Sequence, residues 1–143
     1  MTRPHIPAEL NQRIREAAKH RCGYCLSPQH LIMARLEIEH IIPLSKGGTN
    51  AESNLWLACP ICNAHKSNKL VGIDPSTGQE TALFNPRTQI WSDHFQWSDG
   101  GLLLVGLTTV GRATIQALKL NDDPDALIVR SYWIEAGWHP PDE

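Results

Sequence analysis

The chain has 143 residues, 41% of them hydrophobic, which is ordinary for a globular protein of one domain or of a small domain with an extension. No run of 18 apolar residues occurs, so we expect no membrane span, and the first five residues do not begin a secretory signal. The net charge of -2 conceals two unlike halves: residues 1–70 carry nine Lys/Arg against five Glu (+4), and residues 71–143 carry four against ten Asp/Glu (-6). We therefore expect a cytoplasmic protein whose basic half suits a polyanion, while the acidic half is a candidate surface for a protein partner.

The first half of the chain predicts a helix followed by a strand–loop–strand–helix unit. A helix is expected over residues 6–20, where apolar residues recur on one face after a proline suited to a helix start. Alternating apolar and acidic residues predict a strand over 36–42, and the Gly-rich segment 45–50 is typical of a loop. A second strand is expected over 54–58 and a short helix over 63–70.

The second half predicts a connector, a β-hairpin and two helices. Residues 71–87 contain turn signals and are interpreted as a connector. The segments 91–97 and 102–107 suit the two strands of a hairpin around a Ser-Asp-Gly-Gly turn. Helices are expected over 108–119 and 123–137, since each begins with a residue type that caps helices and the second meets a glycine stop.

Two Cys-x-x-Cys pairs are the strongest metal signal in the sequence: Cys22/Cys25 and Cys59/Cys62. Four soft thiolates match a closed tetrahedral zinc site, which has no open position and is therefore structural. In a reducing cytosol, paired Cys-x-x-Cys favours a metal over a disulfide. A redox dithiol, a disulfide pair and an iron–sulfur site are the alternatives.

A second group of residues suits a hard cation and acid–base chemistry. Glu39 and His40 lie near the end of the first predicted strand, and Asn54 and Asn63 follow after the loop. Carboxylate and amide oxygens suit Mg²⁺ or Mn²⁺, and histidine suits a general base near neutral pH. A Glu-His dipeptide on a strand is more often structural, so only the surrounding motifs favour catalysis.

Those motifs resemble the HNH endonuclease family, in particular its zinc-bearing bacterial type with Asn in place of the final His. The resemblance covers about residues 18–70 and depends on four segments in order: 22–25, 38–50, 53–55 and 59–66. The tail resembles the extension of small bacterial, notably cyanobacterial, HNH proteins. The segments that carry this second likeness are 83–87, 91–95, 105–108 and 136–141.

The resemblance implies an α+β fold whose ββα-metal core is stapled by the four-cysteine zinc site. Residues 1–70 would form the HNH nuclease core with its N-terminal helix, and residues 71–143 an extension, a β-hairpin and two helices, packed on the same domain. By position, His40 would be the general base, Glu39 and Asn63 would ligate the catalytic cation, and Asn54 would brace the loop that orients His40. Glu37 lies on the same strand face as Glu39 and is the alternative ligand.

The function implied is a metal-dependent endonuclease or nickase acting on double-stranded DNA and leaving 5′-phosphate and 3′-hydroxyl ends. The cofactors implied are a structural Zn²⁺ and a catalytic Mg²⁺ or Mn²⁺. Candidate phosphate or DNA contacts are Lys66, His65, Lys46 and Arg87. The alternative function is a zinc-stapled nucleic-acid-binding or scaffold module without cleavage activity.

Overall fold

The structure, a computed structural model, describes residues 5–142. The residues 1–4, which belong to the segment assessed for a secretory signal, lie outside it. The chain divides into two compact units: Met1–Leu70 with Asn85–Thr88, and Val71–Phe84 with Gln89–Glu143. Helices and strands are mixed in the chain, so the predicted α+β class is confirmed. Among the described residues, no helix has both the length and the apolar content needed to cross a lipid bilayer.

The first unit opens with helix α1, Ala8–Ala17, which is shorter than predicted. Pro7 precedes the helix as its N-cap, and the left-handed backbone of Lys19 and His20 ends the helical region. Ile14 is fully buried, and the helix packs against the second strand of the unit. Arg15 donates a hydrogen bond of 2.7 Å to the carbonyl of Leu36, which ties α1 to the start of the first strand.

A ββα unit follows, built from strands β1, Glu37–His40, and β2, Leu55–Ala58, and helix α2, Pro60–Lys66. The strands are antiparallel, with Glu37 opposite Ala58 and His40 opposite Leu55. Helix α2 packs on β1. It begins three residues earlier than predicted because Cys59 caps it and Pro60 occupies its first turn, and the left-handed Ser67 ends it.

The described part of the second unit, residues 71–84 and 89–142, contains two hairpins and three α-helices. Strands β3, Val71–Ile73, and β4, Glu80–Ala82, pair as one antiparallel hairpin. Helix α3, Trp91–His94, leads into strands β5, Phe95–Ser98, and β6, Leu103–Gly106, which form the second. Helices α4, Thr109–Ala117, and α5, Pro124–Glu135, complete the unit. Its buried apolar side chains include those of Phe84, Phe95, Leu104, Leu118 and Trp133.

Helix caps in the second unit confirm the predicted starts of α4 and α5, whereas α4 ends at Ala117, two residues earlier than predicted. The hydroxyl of Thr108 accepts a hydrogen bond from Gly111 N, and the carboxylate of Asp123 accepts from the first two amides that follow Pro124. Gly137 adopts φ +79° just beyond α5. Two expectations were wrong: the segment 71–87 contains the β3–β4 hairpin, and the first four residues of 91–97 form a helical turn instead of a strand.

Candidate active site and metal centre

The four cysteines meet at one buried point in the first unit. Each offers a sulfur, and all four sulfurs lie within 4.8 Å of one another, without a disulfide. Cys25 Sγ and Cys59 Sγ are 3.7 Å apart. This convergence of four thiols from two distant turns is the geometry of a tetrahedral soft-metal site, and it is compatible with structural zinc.

Backbone amides support the cysteine cluster. Tyr24 N donates to Cys22 Sγ, and Cys62 N donates to Cys59 Sγ, each over 3.4 Å. Burial raises the pKa of the Cys22 thiol well above its usual range when no cation is present. A bound dication would reverse that preference, since a coordinating thiol is deprotonated.

Gly23 permits close packing beside the cluster. A Cβ atom at this position would lie 2.5 Å from Trp56 Cδ1 and 2.7 Å from Pro86 Cβ. The Gly23 amide also donates to the carbonyl of Leu57 over 2.9 Å. The first cysteine turn is therefore seated directly on β2, which places the metal cluster next to the ββα unit.

The loop after β1 is closed tightly around its own backbone. A helical turn, Leu44–Lys46, is followed by Gly47 at φ +90°. Gly48 donates to the carbonyl of Pro43 over 2.9 Å. A Cβ atom on Gly48 would lie only 1.7 Å from the carbonyl oxygen of Ile42, so no other residue fits without moving the loop.

Asn54, the residue directly before β2, holds this loop. Its Oδ1 accepts from Ile42 N over 2.8 Å, and its Nδ2 donates to Ile42 O over 3.0 Å and to Thr49 O over 2.9 Å. Three hydrogen bonds from one amide therefore connect β2 to both ends of the loop that follows His40. This is the geometry that a loop-bracing side chain requires.

His40 and Asn63 line the same cleft, which has a volume of about 440 Å³. The other residues of its wall are Pro43, Leu44, Ser45, Ser67 and Asn68. His40 Nε2 lies 2.6 Å from Asn50 Oδ1. An amide oxygen can only accept, so the tautomer that satisfies this contact has the ring proton on Nε2 and leaves on Nδ1 the lone pair that a general base needs.

Glu39 lies in the interior, where it is 1% exposed. Its Oε1 accepts from Tyr24 Oη over 2.5 Å and from Lys66 Nζ over 3.0 Å. Its Oε2 is buried and has no hydrogen-bond partner among residues 5–142. Burial raises the pKa of Glu39, although the Lys66 ammonium opposes that shift. Burial also raises the pKa of Tyr24 well above its usual range, so this phenol remains a donor to Glu39.

The carboxylate beside Asn63 is that of Glu37. Asn63 Nδ2 donates to Glu37 Oε1 over 2.8 Å, and Glu37 is exposed. Glu37 and Glu39 are two residues apart on one strand and so face the same side. Asn63 and Lys66 are three apart on α2 and also share a face. The structure thus pairs Glu37 with Asn63 and Glu39 with Lys66.

The four residues expected to contact DNA occupy different environments. Lys66 is 2% exposed and donates to the carbonyls of His40 and Ile41 as well as to Glu39, so it braces β1 from inside instead of reaching a phosphate. Arg87 stacks over the Trp56 ring, 5.0 Å from its centroid, and donates to the carbonyl of Leu55. Lys46 is exposed next to the cleft, and His65 is half-buried on α2.

Sequence reasoning missed the contacts of Asn50 and Tyr24. In the sequence, Asn50 is one of several polar residues of the 45–50 loop, and only its position in the loop that follows His40 marks it as a candidate partner for that ring. Tyr24 lies between two cysteines, and its burial beside Glu39 had no signal in the pattern.

Residues 22–69 match the family model of HNH endonucleases. The matched segment contains all four cysteines, His40, Asn54 and Asn63, and it includes the whole ββα unit. The chain therefore carries an HNH endonuclease domain, stapled by a four-cysteine cluster of the kind that holds zinc. A search of curated proteins and a search of solved structures each returned no match.

Proposed function

We propose that this protein is a metal-dependent endonuclease or nickase that hydrolyses phosphodiester bonds of double-stranded DNA. HNH nucleases act on DNA, and residues 22–69 match that family. The observation that carries the proposal is the shared cleft of His40 and Asn63. A base and a cation ligand in one solvent-filled cleft are the two parts that phosphodiester hydrolysis requires.

His40 is assigned as the general base. The contact of Nε2 with Asn50 Oδ1 favours the tautomer protonated on Nε2, in which Nδ1 would take a proton from water. Asn54 holds the loop after His40 through three hydrogen bonds, and Lys66 holds the carbonyl of His40 itself. These contacts keep the imidazole in place without reorganisation during the reaction.

Asn63 and an acidic side chain of β1 are assigned as ligands of a divalent cation. Amide and carboxylate oxygens are hard donors that fit Mg²⁺ or Mn²⁺, and Asn63 lies at the cleft where such a cation can keep its waters. When bound, the cation supplies positive charge against the 3′ oxygen that leaves. Cleavage at that bond produces 5′-phosphate and 3′-hydroxyl ends.

The cysteine cluster is assigned to Zn²⁺ with a structural role. Its four thiolates would leave no coordination position for water or substrate. The cluster joins the turn before β1 to the start of α2, because Cys59 caps that helix. Zinc would thus shape the domain, and a second, exchangeable cation would take part in the reaction.

Plasmid cleavage tests this function. Purified protein with its zinc content verified is incubated with supercoiled DNA and Mg²⁺, Mn²⁺ or no added divalent cation. Wild type should cut only with added cation, and His40→Ala should cut at least about a hundredfold more slowly. His30→Ala, which removes an exposed histidine of the same unit, is the matched control and should cut like wild type.

Two outcomes would contradict the proposal. Cutting by His40→Ala at the wild-type rate would remove the general base. If wild type retains its zinc and binds DNA but fails to cut with either cation, the chain is instead a zinc-stapled nucleic-acid-binding module. Ligation of the nicks by a DNA ligase checks the predicted ends, since that reaction needs a 5′-phosphate next to a 3′-hydroxyl.

A further inference from the structure

We infer that Glu37, and not Glu39, is the carboxylate ligand that acts with Asn63 on the divalent cation. This inference rests on the proposed function and specifies the ligand set of its site. The motif pattern alone favours Glu39, which directly precedes His40. The arrangement of β1 against α2 favours Glu37.

Glu37 is already next to the amide ligand. Its Oε1 lies 2.8 Å from Asn63 Nδ2, so the two side chains approach each other as closely as two ligands of one cation must. This contact uses Oε1 of Glu37 and Nδ2 of Asn63, so it does not occupy Glu37 Oε2 or Asn63 Oδ1. Both side chains therefore have an oxygen available for a cation.

Glu37 also meets the solvent requirement. Mg²⁺ and Mn²⁺ sites of this kind retain several waters, because Mg²⁺ gives up its hydration shell reluctantly. Glu37 is exposed, and Asn63 lines the open cleft together with His40. Through Asn63, a hydrated cation bound by this pair would border the same cleft as His40.

Glu39 is paired with Lys66 instead of with Asn63, and it is closed to solvent. Its carboxylate is 1% exposed, and Oε2, the oxygen without a partner, is itself enclosed by protein, so a hydrated cation cannot reach it. Its other oxygen is held by Tyr24 and Lys66. Turning Glu39 outward would leave the Lys66 ammonium in the interior without its counter-ion, which is strongly unfavourable.

Cation binding distinguishes the two carboxylates independently of cleavage. Mn²⁺ is titrated into the zinc-loaded protein, and free Mn²⁺ is followed by electron paramagnetic resonance. Glu37→Gln should raise the Kd for Mn²⁺ at least tenfold, as should Asn63→Ala, whereas Glu39→Gln should stay within twofold of wild type. Glu9→Gln removes an exposed carboxylate of α1 and is the matched control.

The fold of each variant is checked by circular dichroism and zinc content. Where Glu39→Gln does not fold, the double variant Glu39→Gln/Lys66→Met replaces it, because it removes both buried charges together. Tight Mn²⁺ binding by Glu37→Gln, or loss of binding in a folded Glu39 variant, would overturn the inference. If wild type cuts DNA and Glu37→Gln binds Mn²⁺ as tightly as wild type does, this inference alone is wrong. If wild type neither cuts DNA nor binds Mn²⁺, the proposed function is wrong as well.

Discussion

The buried pair of Glu39 and Lys66 permits a sharp test of what holds the HNH domain together. The perturbation is Lys66→Met, which keeps an unbranched apolar side chain of nearly the same length and removes its charge. Lys66 is 2% exposed, and its ammonium contacts the Glu39 carboxylate at 3.0 Å and two carbonyl oxygens of β1 and the loop after it. After the change, Glu39 would be an uncompensated charge in the interior.

The expected loss follows from that burial. Breaking a buried ion pair by removing one partner costs about 3–5 kcal/mol, because the remaining charge stays desolvated. A domain of this size has a total stability of about 5–15 kcal/mol, so the loss is a large part of it. Glu39→Gln/Lys66→Met removes both charges and should be less destabilised than Lys66→Met alone.

Urea unfolding of the zinc-loaded proteins, each under the same conditions, measures these differences. Zinc release to a chromophoric chelator reports the unit that contains the cysteines, and far-ultraviolet circular dichroism reports the helices. Lys46→Met is the control, since Lys46 is exposed and a surface change of this kind stays within about 0.5 kcal/mol. If Lys66→Met lies within about 1 kcal/mol of wild type, the buried-pair reasoning is refuted.

Three further predictions concern the zinc site, the loop and the second unit. Cys59→Ser, or chelation of the metal, should unfold the cysteine-containing unit, because zinc binding contributes folding free energy there. Loss of the circular dichroism signal would report this unfolding, and unchanged thermal unfolding without zinc would contradict the prediction. Gly48→Ala should reduce plasmid cleavage far more than Gly47→Ala. An added Cβ would lie 1.7 Å from a carbonyl oxygen at Gly48, whereas at Gly47 it would meet open space and only the positive φ opposes the change. Equal cleavage rates for the two variants would contradict this prediction. Asp74 is bound by the Arg112 guanidinium over 2.9 Å, which holds the pKa of that carboxyl below its usual value. A lowered folded-state pKa stabilises the fold above the unfolded-state pKa of about 3.9, and this stabilisation is lost as the pH falls through the folded value. Arg112→Met should therefore flatten the acid limb of a stability profile recorded below about pH 4, and an unaltered acid limb would count against the pair.

Several features could be predicted from the sequence because local chemistry determines them. Thr108 and Asp123 cap their helices through contacts with amides two or three residues away, so their roles need no long-range information. The cysteine spacing likewise predicts a four-thiol cluster, since each pair lies within one turn. The β3–β4 hairpin was missed because its strands have three residues each and one contains a glycine, too little for a periodic signal.

The order of motifs and the chemistry of the side chains are determined by the sequence by itself: soft thiols for one metal, hard oxygens for another, and a histidine between them. Only the tertiary structure decided which carboxylate faces which partner. Glu37 and Glu39 share a strand face under the two-residue period of β structure, so no sequence pattern separates them. Helix α2 separates them, because its pitch places Asn63 beside Glu37 and Lys66 beside Glu39. Of the two carboxylates, that of Glu37 is in solvent and that of Glu39 is in the core.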